Sequence, residues 1–229
     1  MDTPQRSNPL ASHTEQLTFV EARHEYADVY TYIFKPANPV PFTAGEYGHV
    51  RLSNLPEGAK TVHELSFASA PHEAEIWFGV DGKSKSEYQK GLQALTPGDE
   101  IKLFKIKSHM TWPAPTPDVV MIAGGVGITP FRSMVLDAVH KKMPVTTTVV
   151  HVARGSFLYA DEMLSHANTY LPIARESLAD TLKNVCATHS EAHYYLAGSA
   201  DFVMHVVGIL SEGGIENIES DEFKGLAAE

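Results

Sequence analysis

The pattern of apolar and polar positions changes character about halfway along the chain. From Gln16 to about Lys107 the apolar residues fall in short runs of β type: Leu17–Glu21, Val29–Phe34, Tyr47–Leu52, Leu65–Ala68, Glu75–Val80 and Glu100–Phe104. Turn-forming clusters separate them, such as Pro39-Val40-Pro41, Asn54-Leu55-Pro56-Glu57-Gly58 and Thr96-Pro97-Gly98-Asp99. Six short strands with this punctuation predict a small antiparallel β-barrel, interrupted by one helix from Ser86 to Leu95. Ahead of them, residues 1–15 are polar and lack periodicity, as a mobile tail does. Trp112-Pro113-Ala114-Pro115-Thr116-Pro117 places three prolines in six residues and reads as a linker. Beyond it, strands are expected at Val119–Ala123, Val145–Val152, Leu182–Ala187 and Tyr194–Ala197, and helices at Pro130–Lys141, Ala160–His166 and Ala200–Glu212. Such alternation means βαβ units on a parallel sheet, with ligands outside the carboxyl ends of the strands. The chain therefore divides into a tail (1–15), a barrel (16–112) and a Rossmann-like α/β unit (113–229).

Chemistry concentrates where the first of these later strands ends. Val119-Val120-Met121-Ile122-Ala123 is unbroken apolar, as in a strand buried on both faces. Gly124, Gly125 and Gly127 follow, then Ile128-Thr129-Pro130-Phe131 and a helical apolar spacing through Met134, Val135, Ala138 and Val139. Thr129 is the expected N-cap, with Pro130 at the first helical position. Glycines admit close backbone approach, and the helix start offers free N–H groups and a positive dipole end, so the turn reads as a pyrophosphate site. The spacing is not that of a P-loop. A second such turn, Ala197-Gly198-Ser199, follows the last apolar strand, with Ser199 able to cap the next helix. In the barrel half, His63-Glu64-Leu65-Ser66 opens a strand with small hydroxyl residues able to bond the edge of a flat heteroaromatic ring. Gly82-Lys83-Ser84-Lys85-Ser86 reads from its residues alone as a solvated hairpin before a capped helix.

The whole-chain numbers narrow the partners. A hydrophobic fraction of 43% and a charged fraction of 20% are those of an ordinary globular chain, and 229 residues suit one large or two small units. A formal charge of −10 argues against a nucleic-acid partner and leaves room for basic protein partners. The single cysteine, Cys186, rules out an internal disulfide or a cysteine-held iron–sulfur cluster and is expected as a small core residue in a strand. The twelve histidines are scattered without metal-ligand spacing, so no metal site is expected. No apolar run approaches the ~20 residues of a membrane helix and no signal-peptide pattern opens the chain, which makes a cytoplasmic protein without membrane insertion the expectation.

A barrel, then Ala-Gly-Gly-x-Gly-Ile-Thr-Pro at 123–130, then Gly-Ser before a helix, resembles the ferredoxin–NADP reductase superfamily of flavoprotein reductases from about Leu17 onward. Leu95-Thr96-Pro97-Gly98-Asp99 resembles its turn before the last barrel strand, and Glu222-Phe223-Lys224-Gly225-Leu226 its C-terminal ending. The resemblance implies that the barrel binds FAD, with FMN less favoured, and that the α/β unit binds NADPH or NADH. A hydride would pass from nicotinamide to flavin N5, and electrons would leave singly to a separate ferredoxin- or flavodoxin-like protein or small oxidant. The family's Arg-x-Tyr-Ser flavin motif falls on His63, Glu64, Leu65 and Ser66. Ser66 would serve near N5, while His63 replaces an arginine and Leu65 an aromatic. Ser86 matches a phosphate-binding helix start. Gly124, Gly125, Gly127 and Thr129 match the nucleotide motif. Gly198 matches a Cys-Gly-Pro motif in which Ala197 and Ser199 replace the flanking residues. Leu226 occupies the position of a flavin-covering aromatic, for which Phe223 can substitute. Arg154, after His151-Val152-Ala153, could pair with a 2′-phosphate and favours NADPH over NADH. Two other readings share these motifs: a non-catalytic flavin- or nucleotide-binding subunit or redox sensor, and a siderophore-type ferric reductase using Lys83, Lys85, Lys105 and Lys107.

Overall fold

The computed structural model describes residues 14–223. Its first half is a sheet of β1 (Thr14–Tyr26), β2 (Val29–Pro36), β3 (Tyr47–Arg51), β4 (Val62–Ser66), β5 (Ile76–Asp81) and β6 (Glu100–Lys107). The strands run antiparallel in the order β4-β3-β6-β1-β2-β5. The sheet curls until its edges approach: the Ala68 N–H, just past β4, donates to the Trp77 carbonyl on β5 at 2.8 Å. Alternate side chains point inward and make a core that includes Leu17, Phe34, Val50, Phe67, Phe78 and Leu103. The expected helix is α1 (Glu87–Gln93), capped by Ser86, whose hydroxyl accepts the Gln89 N–H at 3.2 Å.

The second half is a five-stranded parallel sheet in the order β11-β10-β7-β8-β9. Its strands are β7 (Asp118–Gly124), β8 (Thr146–Val152), β9 (Thr169–Ile173), β10 (His193–Ser199) and β11 (Ile218–Phe223). Between them run α2 (Ile128–His140), α3 (Ala160–His166), α4 (Leu178–Thr188) and α5 (Ala200–Glu212). β7 sends Val119, Met121 and Ala123 to the face shared with α2, α3 and the barrel, and Val120 and Ile122 to the face under α4 and α5. Burial on both faces is why this strand is an unbroken apolar run.

Three expectations are corrected. Leu182–Ala187 is helical rather than extended, because the buried positions of α4 are Leu178, Leu182, Val185 and Cys186. That is an amphipathic helical spacing whose first member lies outside the six-residue window read as a strand. β9 and β11 were not anticipated; they are the two edge strands, one carrying Pro172 and the other mostly polar. Edges tolerate both, since one side of the strand needs no ladder partner. Thr129 does not cap α2: a single 3-10 turn at Gly125–Gly127 precedes the helix, Gly127 holds the capping position, and the Thr129 hydroxyl donates to the Val126 carbonyl at 2.6 Å. No helix among the described residues is long and apolar enough to cross a membrane.

Candidate functional site

A cleft of about 950 Å³ opens between the two sheets, walled by β3, β4 and β5 on one side and by the carboxyl ends of β7, β8 and β10 on the other. On the barrel wall, the β3–β4 register sets Tyr47 opposite Ser66 and His49 opposite Glu64. Along β4, His63 and Leu65 are buried and Val62, Glu64 and Ser66 are more open; all five line the cleft. The His63 ring lies 4.3 Å from that of Tyr88 on α1, Leu65 joins the barrel core, and Glu64 sits 3.4 Å from His49. The Ser66 hydroxyl donates to Asp221 Oδ2 on β11 at 3.1 Å, across the two halves of the molecule. Tyr47 stacks on His109 at 4.7 Å, and its hydroxyl is shifted up by burial and then by the charges of Glu64 and Asp221.

On the opposite wall the glycines have different tasks. A Cβ at Gly124 would fall 2.8 Å from the Phe202 ring, and one at Gly127 only 2.1 Å from the Ala197 carbonyl oxygen. These two glycines let the turn pack against β10 and α5. Gly125 is the opposite case: its φ is +55° and a Cβ there would meet nothing within 4 Å, so its open side faces the cleft. Thr129 and Ser199 also line the cleft, Ser199 while accepting the Phe202 N–H at 3.3 Å as the cap of α5. Arg154 beyond β8 and Phe223 at the end of β11 complete the residues expected from sequence that meet here. Ser86, Gly127 and Gly198 lie outside the lining. Of the four lysines considered for anionic chelates, only Lys83 reaches it, 3.5 Å from Asp81, so no basic pocket is assembled from them. Lys224 to Leu226 lie outside the described residues, as does most of the expected N-terminal tail.

Asp221 and Arg175 escaped the sequence reading. Both depend on the missed edge strands: Asp221 sits within β11, and Arg175 follows β9 and lines the cleft beside the place where Arg154 enters it. A basic residue just past a strand end was the signal for Arg175, but only once β9 is known to be a strand. His151 ends β8 fully buried, its Nε2 2.9 Å from the Gly125 carbonyl and its Nδ1 3.1 Å from the Tyr170 hydroxyl. Burial pushes its imidazole down to about 4, against the pull of the Gly125 carbonyl. His189 and His193 do not converge; the first pairs with Asp118 at 2.9 Å and the second with Glu219 at 2.8 Å.

The walls are locked together by Arg132 of α2. It is 2% exposed, bonds the Ala68 carbonyl at 2.7 Å and Glu73 at 2.8 Å on the barrel side, and reaches Glu162 of α3 at 2.8 Å. Its guanidinium also lies 4.4 Å from the centre of the Trp77 ring and 5.3 Å from that of Tyr159.

The residues fit a flavin and a dinucleotide. The volume is of ligand-site size, at the upper end of the range of about 300–1,000 Å³. Small polar and apolar groups share the barrel wall, and the open turn at Gly125 with the nearby arginines suits phosphate. Comparisons with known proteins agree. Residues 121–176 match the family model described as "Oxidoreductase NAD-binding domain". The chain is 27% identical to a flavohemoprotein of Bacillus subtilis over 231 residues, covering 87% of this chain and 57% of that protein. It is 29% identical to the beta subunit of a phenoxybenzoate dioxygenase from Ectopseudomonas oleovorans, over 69% of this chain and 50% of the relative. The chain thus spans about half the length of these curated relatives. Among solved structures, a ferredoxin NADP+ reductase from Neisseria gonorrhoeae with bound FAD and NADP superposes with a TM-score of 0.79 at 16% identity, over 91% of this chain and 98% of that one. The flavohem-like FAD/NAD binding domain of a nitric oxide dioxygenase from Vibrio cholerae does so at 0.69 and 18%, over 91% and 98%. With its antiparallel barrel, its parallel sheet and an NAD-binding match that spans the glycine turn, the chain has the fold of the ferredoxin NADP+ reductase and flavohemoprotein-type reductase structures it resembles.

Proposed function

We propose that the chain is the reductase portion of an NAD(P)H oxidoreductase acting in the cytoplasm. In this reading residues 16–112 hold FAD rather than FMN, residues 113–229 hold NADPH or NADH, and electrons leave to a ferredoxin- or flavodoxin-like protein or a small oxidant. The observation that carries it is that Ser66 of β4 and Gly125, in the turn just past β7, line one cleft. Bound flavin would supply what no side chain here can, acceptance of a hydride and release of single electrons.

The chain's own residues bind and orient. Ser66 would meet the flavin edge: with its hydrogen held by Asp221 Oδ2, its lone pairs are free to accept from a ring N–H, and Asp221 is placed to take or return a proton through Ser66 Oγ. Lys60 brings positive charge to the barrel wall near His63, which stands where the resembled family uses arginine, and Phe223 stands beside Asp221 to cover the ring. Gly125 and the start of α2 would hold the nucleotide pyrophosphate. Two arginines at the adenosine end, Arg154 and Arg175, support NADPH.

Purified protein should carry, or gain on adding FAD, an absorption band near ~450 nm that bleaches within seconds of anaerobic mixing with NADPH. A protein that stays colourless with both FAD and FMN defeats the reading. Bound flavin left untouched by NADPH and NADH would replace it with a non-catalytic flavin-binding subunit.

A further inference from the structure

A buried side chain outside the cleft lining, His151, bonds the carbonyl of the glycine turn. Of the two neutral tautomers of His151, the one that satisfies both contacts carries its hydrogen on Nε2, because the Gly125 carbonyl can only accept. Nδ1 is then a bare acceptor, and the Tyr170 hydroxyl donates to it. That hydroxyl is shifted up by burial and then by Tyr26, so it keeps its proton, and burial keeps the imidazole neutral.

In a trans peptide the C=O and N–H point in opposite directions. The peptide joining Gly125 to Val126 has its carbonyl turned to the buried ring and also accepts the Ile128 N–H. Its N–H, on Val126, therefore points away from His151, on the side where Gly125 and Val126 line the cleft. Glycine at φ +55° sets no steric preference for this plane, so its direction is held by the two hydrogen bonds to its carbonyl, one from the Ile128 N–H and one from His151. Turned over, the same peptide would show a phosphate the negative end of its dipole.

We infer that His151 is a positioning residue for the nucleotide: its Nε2–H holds the Gly125–Val126 peptide with the N–H toward the cleft, so that a pyrophosphate meets a donor and not an oxygen. The inference rests on the reading of the cleft as a nicotinamide-nucleotide site.

Two substitutions separate this role from packing. In His151→Gln the amide nitrogen lies as many bonds from the backbone as Nε2 and can donate to Gly125. In His151→Asn it lies one bond short, in the place of Nδ1, and cannot. The tighter of NADPH and NADH is titrated calorimetrically into each flavin-loaded protein, and thermal midpoints are recorded beside it. Affinity should fall about tenfold, or about 1.4 kcal/mol, in His151→Asn, and stay within roughly threefold of wild type in His151→Gln, while the midpoints of the two fall alike. In amide NMR spectra the Val126 resonance should move on nucleotide addition in wild type and His151→Gln but not in His151→Asn. Equal losses in the two variants, or none in either, would overturn the inference while leaving the site in place. Wild-type protein that binds neither nucleotide would overturn the reading of the cleft and the inference with it.

Discussion

Replacing Arg132 with methionine removes a charge that two carboxylates and a carbonyl depend on while keeping much of the side-chain volume. Burial pushes the Glu73 carboxyl up, yet its hydrogen bonds and charge pairing with Arg132 outweigh this and hold it below the usual carboxylate range. Deleting one partner of a buried ion pair costs about 3–5 kcal/mol because the other charge is left uncompensated. The Glu73 and Glu162 side chains remain 25% and 33% exposed, so water still reaches both, and the low end, about 3 kcal/mol, is expected. With a urea dependence of about 3 kcal/mol per molar, the unfolding midpoint at neutral pH should fall by about 1 M. Two comparisons isolate the mechanism. Adding Glu73→Gln and Glu162→Gln to Arg132→Met should recover much of the loss, since neutral amides leave no stranded charge. A carboxyl whose native pKa is depressed contributes stability above its unfolded value, and that stability is lost as pH falls through the native one. The gap between wild type and Arg132→Met should therefore narrow as the pH drops below about 4.5, the ordinary value for Glu73. A cost under about 1 kcal/mol, or a gap unchanged in acid, would refute the account of Arg132 as the charge lock between the lobes.

Gly125→Val puts a branched side chain at φ +55° on the open side of the turn and should raise the nucleotide KM at least tenfold, by about 1.4 kcal/mol or more; an unchanged KM would place the nucleotide elsewhere. Arg175→Ala should weaken NADPH about tenfold and leave NADH within about twofold, read as the ratio of kcat/KM values; equal effects on both would remove Arg175 from 2′-phosphate recognition. Since the His151 imidazole is pushed down to about 4, the unfolded chain takes up a proton that the native one resists. The stability this confers is full above about 6.5, the ordinary value, and is lost as pH falls to about 4, by up to about 3 kcal/mol. Unfolding midpoints of His151→Gln should lose less than wild type over that interval; parallel curves would contradict the shift.

The sequence by itself determined what depends on neighbouring residues. Six short apolar runs of β type became six strands, the unbroken apolar run of β7 announced a strand covered on both faces, and the glycines after it marked a turn into a helix. Those signals are local: side-chain period and backbone freedom are properties of a few consecutive positions. Where a short window missed a distant member, as with Leu178 in α4, the same logic misread a helix as a strand. What only the tertiary structure decided is which groups meet across the chain. Sheet edges carry little apolar pattern, so β9 and β11, and with them Arg175 and Asp221, were silent until pairing placed them. The division of labour among the glycines likewise emerges only from what surrounds them: Phe202 and the Ala197 carbonyl crowd two of them, and open space faces the third. Ser66 finds Asp221 155 residues away because the two sheets dock across the cleft, and His151 finds Gly125 across 26 because β8 pairs beside β7; no single stretch of sequence encodes either arrangement.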